Sequence, residues 1–344
     1  MDERDTGGPS RPTSPWDKSG WLVRIRYVSE LMTALGRLGT FEKGRRFVWR
    51  GMRRSSYALE SSLQRYLSER ELPRSEQEIC AAESRFLEHA RSWGIGDIGG
   101  VEMDDLQLLA VMQHHGVPTR LMDFTSNPMT ALWFACQADP DRLEDGLLLA
   151  VDVTDLRQGR EFYNPSIGTW GGLESPLSNG LRMSIRYSAE NNSTPILLES
   201  RAPDRRLQVQ EGLFMLGAVP EVPTLNASLA FNLPYWKRKV DLREHILDAR
   251  TSGRPIRVPF VAISIPDRIK AVMRTHLSTT YNRNRRYLFP DVDGLAEAIR
   301  LGDVGLTAMP RANASPENAV PDAVAMSTVG EPAPPAITLR TATI

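Results

Sequence analysis

Residues 106–135 read LQLLAVMQHHGVPTRLMDFTSNPMTALWFA, and the punctuation of this stretch decides the architecture around it. Asp104 or Asp105 stands where a helix N-cap belongs, and Leu106, Leu109 and Met112 follow at helical spacing. Gly116 takes the left-handed position that ends such a helix, and Pro118 prevents its continuation. A second helix is predicted from Asn127 as N-cap and Pro128 as first helical residue, running through Met129, Leu132, Phe134 and Ala135. Between the two lie Gln113, His114, His115, Thr119, Arg120, Asp123, Thr125 and Ser126. A turn needs only a glycine, a proline and a small polar residue, so this density of hydrogen-bonding groups implies either a site or a buried polar network.

Working outward, Ser29 is a candidate cap for a helix through Leu38, and Phe47-Val48-Trp49 reads as a short strand that ends at Arg50. Ser75 to Glu78 form a capping-box pattern opening a helix with Ile79, Ala82, Phe86, Ala90 and Trp93 on one face and Gly94 at its end. Strand-like runs follow at 147–153, 196–199, 207–216 and 258–265, the last leading to Asp267 as the cap of another helix. Helices come first and strands mostly afterwards. That order predicts an α+β fold whose mixed, largely antiparallel sheet carries an N-terminal helical portion.

The 344 residues are 41% hydrophobic, enough for a sizeable core, and 42 Lys+Arg balance 42 Asp+Glu. No global field therefore favours nucleic acid or a membrane surface. Residues 1–18 and 303–344 are rich in Pro, Ala, Ser and Asn without periodicity. They are expected to be disordered tails around one domain at 19–302. Cys80 and Cys136 lie in helical patterns as expected buried free thiols, and no long apolar run or signal-like segment occurs, so a cytoplasmic protein without a membrane partner is expected.

Arg50, followed by Gly51, is placed for a bidentate contact to phosphate while the glycine lets a ligand approach the backbone; pairing with a carboxylate such as Asp123 is the alternative. Gln208 and Gln210 would share one face of a strand, and Gly212 would bulge it and re-aim Glu211. His114 is suited to a ribose hydroxyl, a phosphate or proton transfer, and equally to bonding helix-terminal carbonyls. An Arg120–Asp123 pair would lock the loop structurally and leave Thr119 and Thr125 as hydroxyl donors. No metal site is expected, because His114 and His115 are adjacent and His89, His245 and His276 lie in unrelated segments. No phosphate-loop, GxGxxG, HExxH or GxSxG pattern occurs.

The segment QHHGVPTRLMDFTSNPMTALWFA resembles the central motif of the FRG domain, and VWRG at 48–51, RLQVQEGLF at 206–214 and LFPDVDGLA at 288–296 resemble its other blocks in order. Trp49 replaces the name-giving Phe and Met52 a common Gln, but Arg50 is kept. More distantly, an early strand ending in Arg, a middle polar block and a late Gln/Glu pair are similar to the layout of ADP-ribosyltransferases. That resemblance implies NAD as substrate. Arg50 would hold the pyrophosphate together with Gly51, Gln113, Thr119 and Thr125, and His114 a ribose or phosphate. Glu211 with Gln210 would favour the cationic sugar. It implies a bacterial toxin or antiphage effector, with a protein or nucleic-acid acceptor, acting as a transferase or an NAD glycohydrolase. The alternative is a non-catalytic module sensing a nucleotide or nucleic acid through the same cleft, and a phosphoesterase built on His114 and Asp123 is the least supported reading.

Overall fold

The computed structural model describes residues 14–38, 44–139, 142–158, 176–199, 205–235, 242–247 and 258–302. The chain divides into two compact units, Met1–Ala298 and Ile299–Ile344. Of the second, residues 299–302 are described; the expectations for 1–13 and 303–344 lie outside the described residues.

The first unit is built on a seven-stranded sheet. In chain order its strands are β1 (Leu22–Arg24), β2 (Phe47–Met52), β5 (Met122–Thr125), β6 (Gly146–Asp152), β7 (Ile196–Leu198), β8 (Gly212–Leu216) and β9 (Phe260–Ile265), with the short pair β3 (Asp97–Ile98) and β4 (Val101–Glu102) separate. The spatial order is β1-β9-β6-β2-β5-β8-β7. Only β1 and β9 run parallel; the other neighbours are antiparallel, so the sheet is mixed and largely antiparallel, as the element order predicts. Every residue of β6 and β9 is buried, and their continuous apolar character marks strands covered on both faces.

Helices α1 (Val28–Leu38), α2 (Ser62–Ser68), α3 (Glu76–Ser92), α4 (Asp105–His114) and α5 (Pro128–Ala135) come before β6. Helix α5 lies on β2 and β6 so closely that a Cβ on Gly51 would stand 1.8 Å from the Ala131 carbonyl oxygen, and one on Gly146 2.2 Å from that of Ala135. Gly51 thus serves helix-on-sheet contact, where the sequence suggested room for a ligand. A second apolar cluster joins α3, α4 and α6 (Pro176–Glu190) to β8 through Leu87, Leu108, Met112, Leu181 and Phe214. Each such side chain contributes about 1.5–3 kcal/mol by leaving water.

Local punctuation behaves largely as read. Asp104 and Asn127 accept hydrogen bonds from Gln107 N and Met129 N, Pro128 is the first residue of α5, and Gly116 has φ +84°. Several expectations need correction. Trp16 is fully buried against Phe260 and Asp17–Ser19 form a 3-10 turn, so residues 14–18 belong to the folded body and not to the tail. Helix α1 begins at Val28, placing Ser29 inside its first turn. Trp93 leaves the apolar face of α3 and is exposed. Residues 205–209 form the helix α7 (Arg205–Val209), so Gln208 and Gln210 do not share a strand face, and Gly212 opens β8 where a bulge was expected. A Cβ at Gly212 would meet Leu207 Cδ1 at 2.4 Å, so β8 starts in close contact with α7.

Candidate functional site

A cavity of about 280 Å³ opens where β2, β5, α4, α5 and α7 meet. Arg50, Gly51, Gln113, His114, Asp123, Thr125, Thr130, Arg206 and Gln210 line it, with walls from Trp49, Phe124, Phe134, Phe214 and Phe289. The structure therefore brings together Arg50, Gly51, Gln113, His114, Thr125 and Gln210 from four separate segments. Thr119 and Glu211 are not among the lining residues.

Arg50 lies within β2, not at its end, opposite Leu149 of β6. Its Nη1 donates to the Asp123 carbonyl oxygen, and the Asp123 carboxylate stands 3.9 Å away, so the pairing with Asp123 that the sequence left open is present but loose. The Arg50 side chain is 19% exposed and that of Asp123 64%. Burial lowers the Arg50 pKa from its ordinary value, Asp123 opposes this and Arg65 adds to it; a guanidinium starts so high that it keeps its charge. Its Nε is buried without a hydrogen-bond partner, and so is Thr130 Oγ1 on the same cavity wall. Each such group costs about 1–3 kcal/mol.

A relay of polar contacts fixes the wall beside Arg50. Gln113 Nε2 donates to Asp123 Oδ1 at 2.5 Å, and Thr119 Oγ1 donates to Gln113 Oε1. Thr119 is fully buried, and its amide donates to Ser62 Oγ at the start of α2 at 2.9 Å. Thr119 thus positions Gln113 from behind the cavity wall and is not among its lining residues. Thr125 Oγ1 donates to the Gln210 carbonyl at 2.6 Å, and Gln210 Nε2 donates to the Leu288 carbonyl at 2.9 Å, which ties β5, α7 and α10 (Arg285–Leu288) together.

Glu211 occupies the turn between α7 and β8 with φ +50°, a left-handed conformation that costs a non-glycine residue about 1 kcal/mol or more. Its carboxylate accepts from Asn127 Nδ2 at 2.7 Å and from Arg283 Nη2 at 2.9 Å, and it is 44% exposed. The strand placement of Gln210 and Glu211 is thus replaced by a strained turn at one end of β5.

Arg120 does not pair with Asp123. Its Nε donates to both oxygens of Glu83 at 3.0 and 2.9 Å, its Nη1 to Glu76 Oε1 at 2.9 Å, and its Nη2 to Cys80 Sγ. Burial alone would lower its pKa; the Glu83 and Glu76 carboxylates more than reverse that and raise it. Burial pushes the Cys80 thiol up to about 11 and Cys136 up to about 12, so neither is a nucleophile near neutral pH.

Residues that sequence reasoning passed over also build the cavity. Arg206 makes a bidentate pair with Asp291 at 2.8 and 2.7 Å and stacks over Phe289, 5.0 Å from the ring centre. Asp291, whose carboxylate accepts from Gly294 N at 2.7 Å, caps α11 (Val292–Arg300). The bond from Arg206 holds Asp291 below the ordinary carboxylate range. Thr130 had one legible signal, a hydroxyl in the first turn of an otherwise apolar helix.

Comparison with curated proteins and with solved structures found no match in either case. Among protein families, the FRG domain matches residues 45–143, from the start of β2 past the end of α5. The match includes Arg50, Gln113, His114, Asp123, Thr125 and Thr130, and leaves Arg206, Gln210, Glu211 and Phe289 outside it. The chain thus carries a match to the FRG domain over residues 45–143.

Proposed function

We propose that the cavity binds NAD and that the chain is an ADP-ribosyltransferase-like enzyme acting in the cytoplasm on a protein or nucleic-acid acceptor. The observation that carries this reading is the pair of buried, partnerless groups, Arg50 Nε and Thr130 Oγ1, in a cavity walled by aromatic rings. A cation and a hydroxyl left unsatisfied beside flat apolar surfaces fit a ligand that offers both an anionic oxygen and a planar ring. Arg50 holds the pyrophosphate by charge-assisted hydrogen bonds, and Gln113 and His114 supply further polar contacts on the adjoining wall. Phe124 and Phe289 flank the ring.

Two carboxylates are available for the sugar. Asp123 is in the cavity, and Glu211 lies outside its lining, in the turn that precedes β8. Glu211 takes the catalytic part in this reading, because the glycosidic bond to nicotinamide must break at a distance from the pyrophosphate anchor. As the bond breaks, nicotinamide leaves with the electron pair and a carboxylate favours the positive charge that the ribose gains. Gln210 orients the ribose. Transfer to water in place of an acceptor gives NAD glycohydrolysis.

One observation favours a second reading, a nucleotide-binding module without catalysis: the Glu211 carboxylate is held by Asn127 and Arg283 and does not line the cavity. Incubation with labelled NAD and cell lysate separates the two. Labelled acceptor or free ADP-ribose that disappears in Glu211→Gln, with NAD binding kept, supports the enzyme. Binding with no product in the wild type supports the module, and product formation unchanged in Glu211→Gln but lost in Asp123→Asn would reassign the carboxylate.

A further inference from the structure

The structure brings a third metal-ligating group to the two adjacent histidines. His114 is the last residue of α4, His115 is its C-cap, and Asp293 lies in the first turn of α11. One ligand atom of each falls within 4.8 Å of the others. We propose that His114, His115 and Asp293 form a binding site for a borderline divalent cation such as zinc, beside the mouth of the Arg50 cavity. The site goes beyond the NAD reading and does not depend on it.

Neighbouring residues in a helix diverge by about 100°, which is the reason adjacent histidines rarely share an ion. Here the chain is already leaving the helix at His115, with φ −89° and ψ 12°, and the two imidazole rings meet edge to face with centres 4.8 Å apart. The carboxylate comes from an element whose start is fixed: Asp291 accepts from Gly294 N and is clamped by Arg206. Asp291 is thereby engaged by Arg206, and Asp293 is the carboxylate whose oxygen lies within 4.8 Å of both imidazoles. In a tetrahedral zinc site, ligand atoms lie about 3.4 Å apart, given zinc–nitrogen and zinc–oxygen bonds near 2.0–2.2 Å. His115 and Asp293 are exposed, so their side chains have room to turn toward a shared ion. Two nitrogens and one carboxylate oxygen suit zinc and its neighbours, whereas magnesium and calcium prefer oxygen alone. Three protein ligands leave a coordination position for water or an anionic oxygen, and His114 is shared with the cavity wall.

The test is calorimetric titration of ZnCl2 into the chelator-treated, tag-free full chain, with no nucleotide present. One equivalent should bind. His115→Ala and Asp293→Asn should each weaken that binding at least about tenfold, by analogy with the loss on disturbing a metal's supporting groups, while His276→Ala on the distant α9 (Asp267–Thr279) should not. Melting curves check that the variants fold. As a second measurement on the wild type alone, Co2+ should broaden the imidazole NMR signals of His114 and His115 and spare that of His276. Absence of saturable binding at millimolar zinc, equal affinity in all variants, or unaffected His114 and His115 signals would overturn the proposal.

Discussion

Two arginines in the matched domain stand in opposite surroundings. Arg120 is 3% exposed, faces a carboxylate that is equally buried, and has a second carboxylate, a thiol and a carbonyl within reach. Arg50 has a buried Nε with no partner and, among the described residues, a nearest carboxylate that is solvated and 3.9 Å away. The first guanidinium is a strut, with its charge consumed inside the protein. It joins α3 to the chain entering β5, and Glu76 extends the network by accepting the Val219 amide at 2.6 Å. The second, in the proposed NAD reading, offers its charge to the ligand. Burying a cation costs stability unless it is paired: Arg120 is paired at every nitrogen, whereas Arg50 keeps one buried nitrogen, Nε, unsatisfied.

The largest effect should come from breaking the strut. Arg120→Ala leaves Glu83 buried and uncompensated, and should lower unfolding free energy by about 3–5 kcal/mol in urea titrations. Arg50→Ala should change it by no more than about 1 kcal/mol. A greater loss for Arg50→Ala than for Arg120→Ala would reverse the comparison.

Gly51→Ala comes next. Its new methyl group meets backbone atoms of α5, which cannot swing aside as a side chain can. About 1–3 kcal/mol should be lost, with the helix pushed from β2 and the cavity distorted, so thermal shift and ligand binding should fall together. An unperturbed protein would show that α5 is free to move and that the cavity is not preorganised.

The smallest effect concerns the wall formed by Arg206 and Asp291. Because the folded-state pKa of Asp291 is depressed, its contribution is present above the unfolded value and lost as pH falls through the folded one. Asp291→Asn should therefore be less stable than wild type at about pH 6, and the gap should close as pH drops below 3.8, the ordinary value. A gap independent of pH would mean that Asp291 acts through shape alone.

The parts legible in the sequence were those set by local chemistry. Asp104, Gly116, Asn127 and Pro128 mark helix ends through their own backbone preferences, and the structure keeps all four. Periodicity also exposed β6 and β9, whose apolar runs leave no other fate in a chain of this length. It failed at 207–216, because apolar residues at 207, 209 and 213 suit one turn of helix followed by a strand as well as one long strand. Partner choice was the least legible. Arg120 and Asp123 are three apart and of opposite charge, yet the partner that Arg120 takes lies 37 residues upstream on α3. Burial selects a carboxylate that is itself desolvated, and sequence distance says nothing about that. Trp16 was missed for a related reason: a single aromatic in a proline-rich stretch has no period to announce it.

Calorimetric titration of NAD into wild-type protein and Arg50→Ala, with folding of both checked by melting curves, tests the assignment of Arg50 as the binding group most directly. Wild type should bind, and Arg50→Ala should lose about 2–5 kcal/mol of binding free energy with its melting temperature little changed. Equal affinity in the two proteins, or no binding to wild type at millimolar NAD, would contradict the assignment of this cavity to NAD.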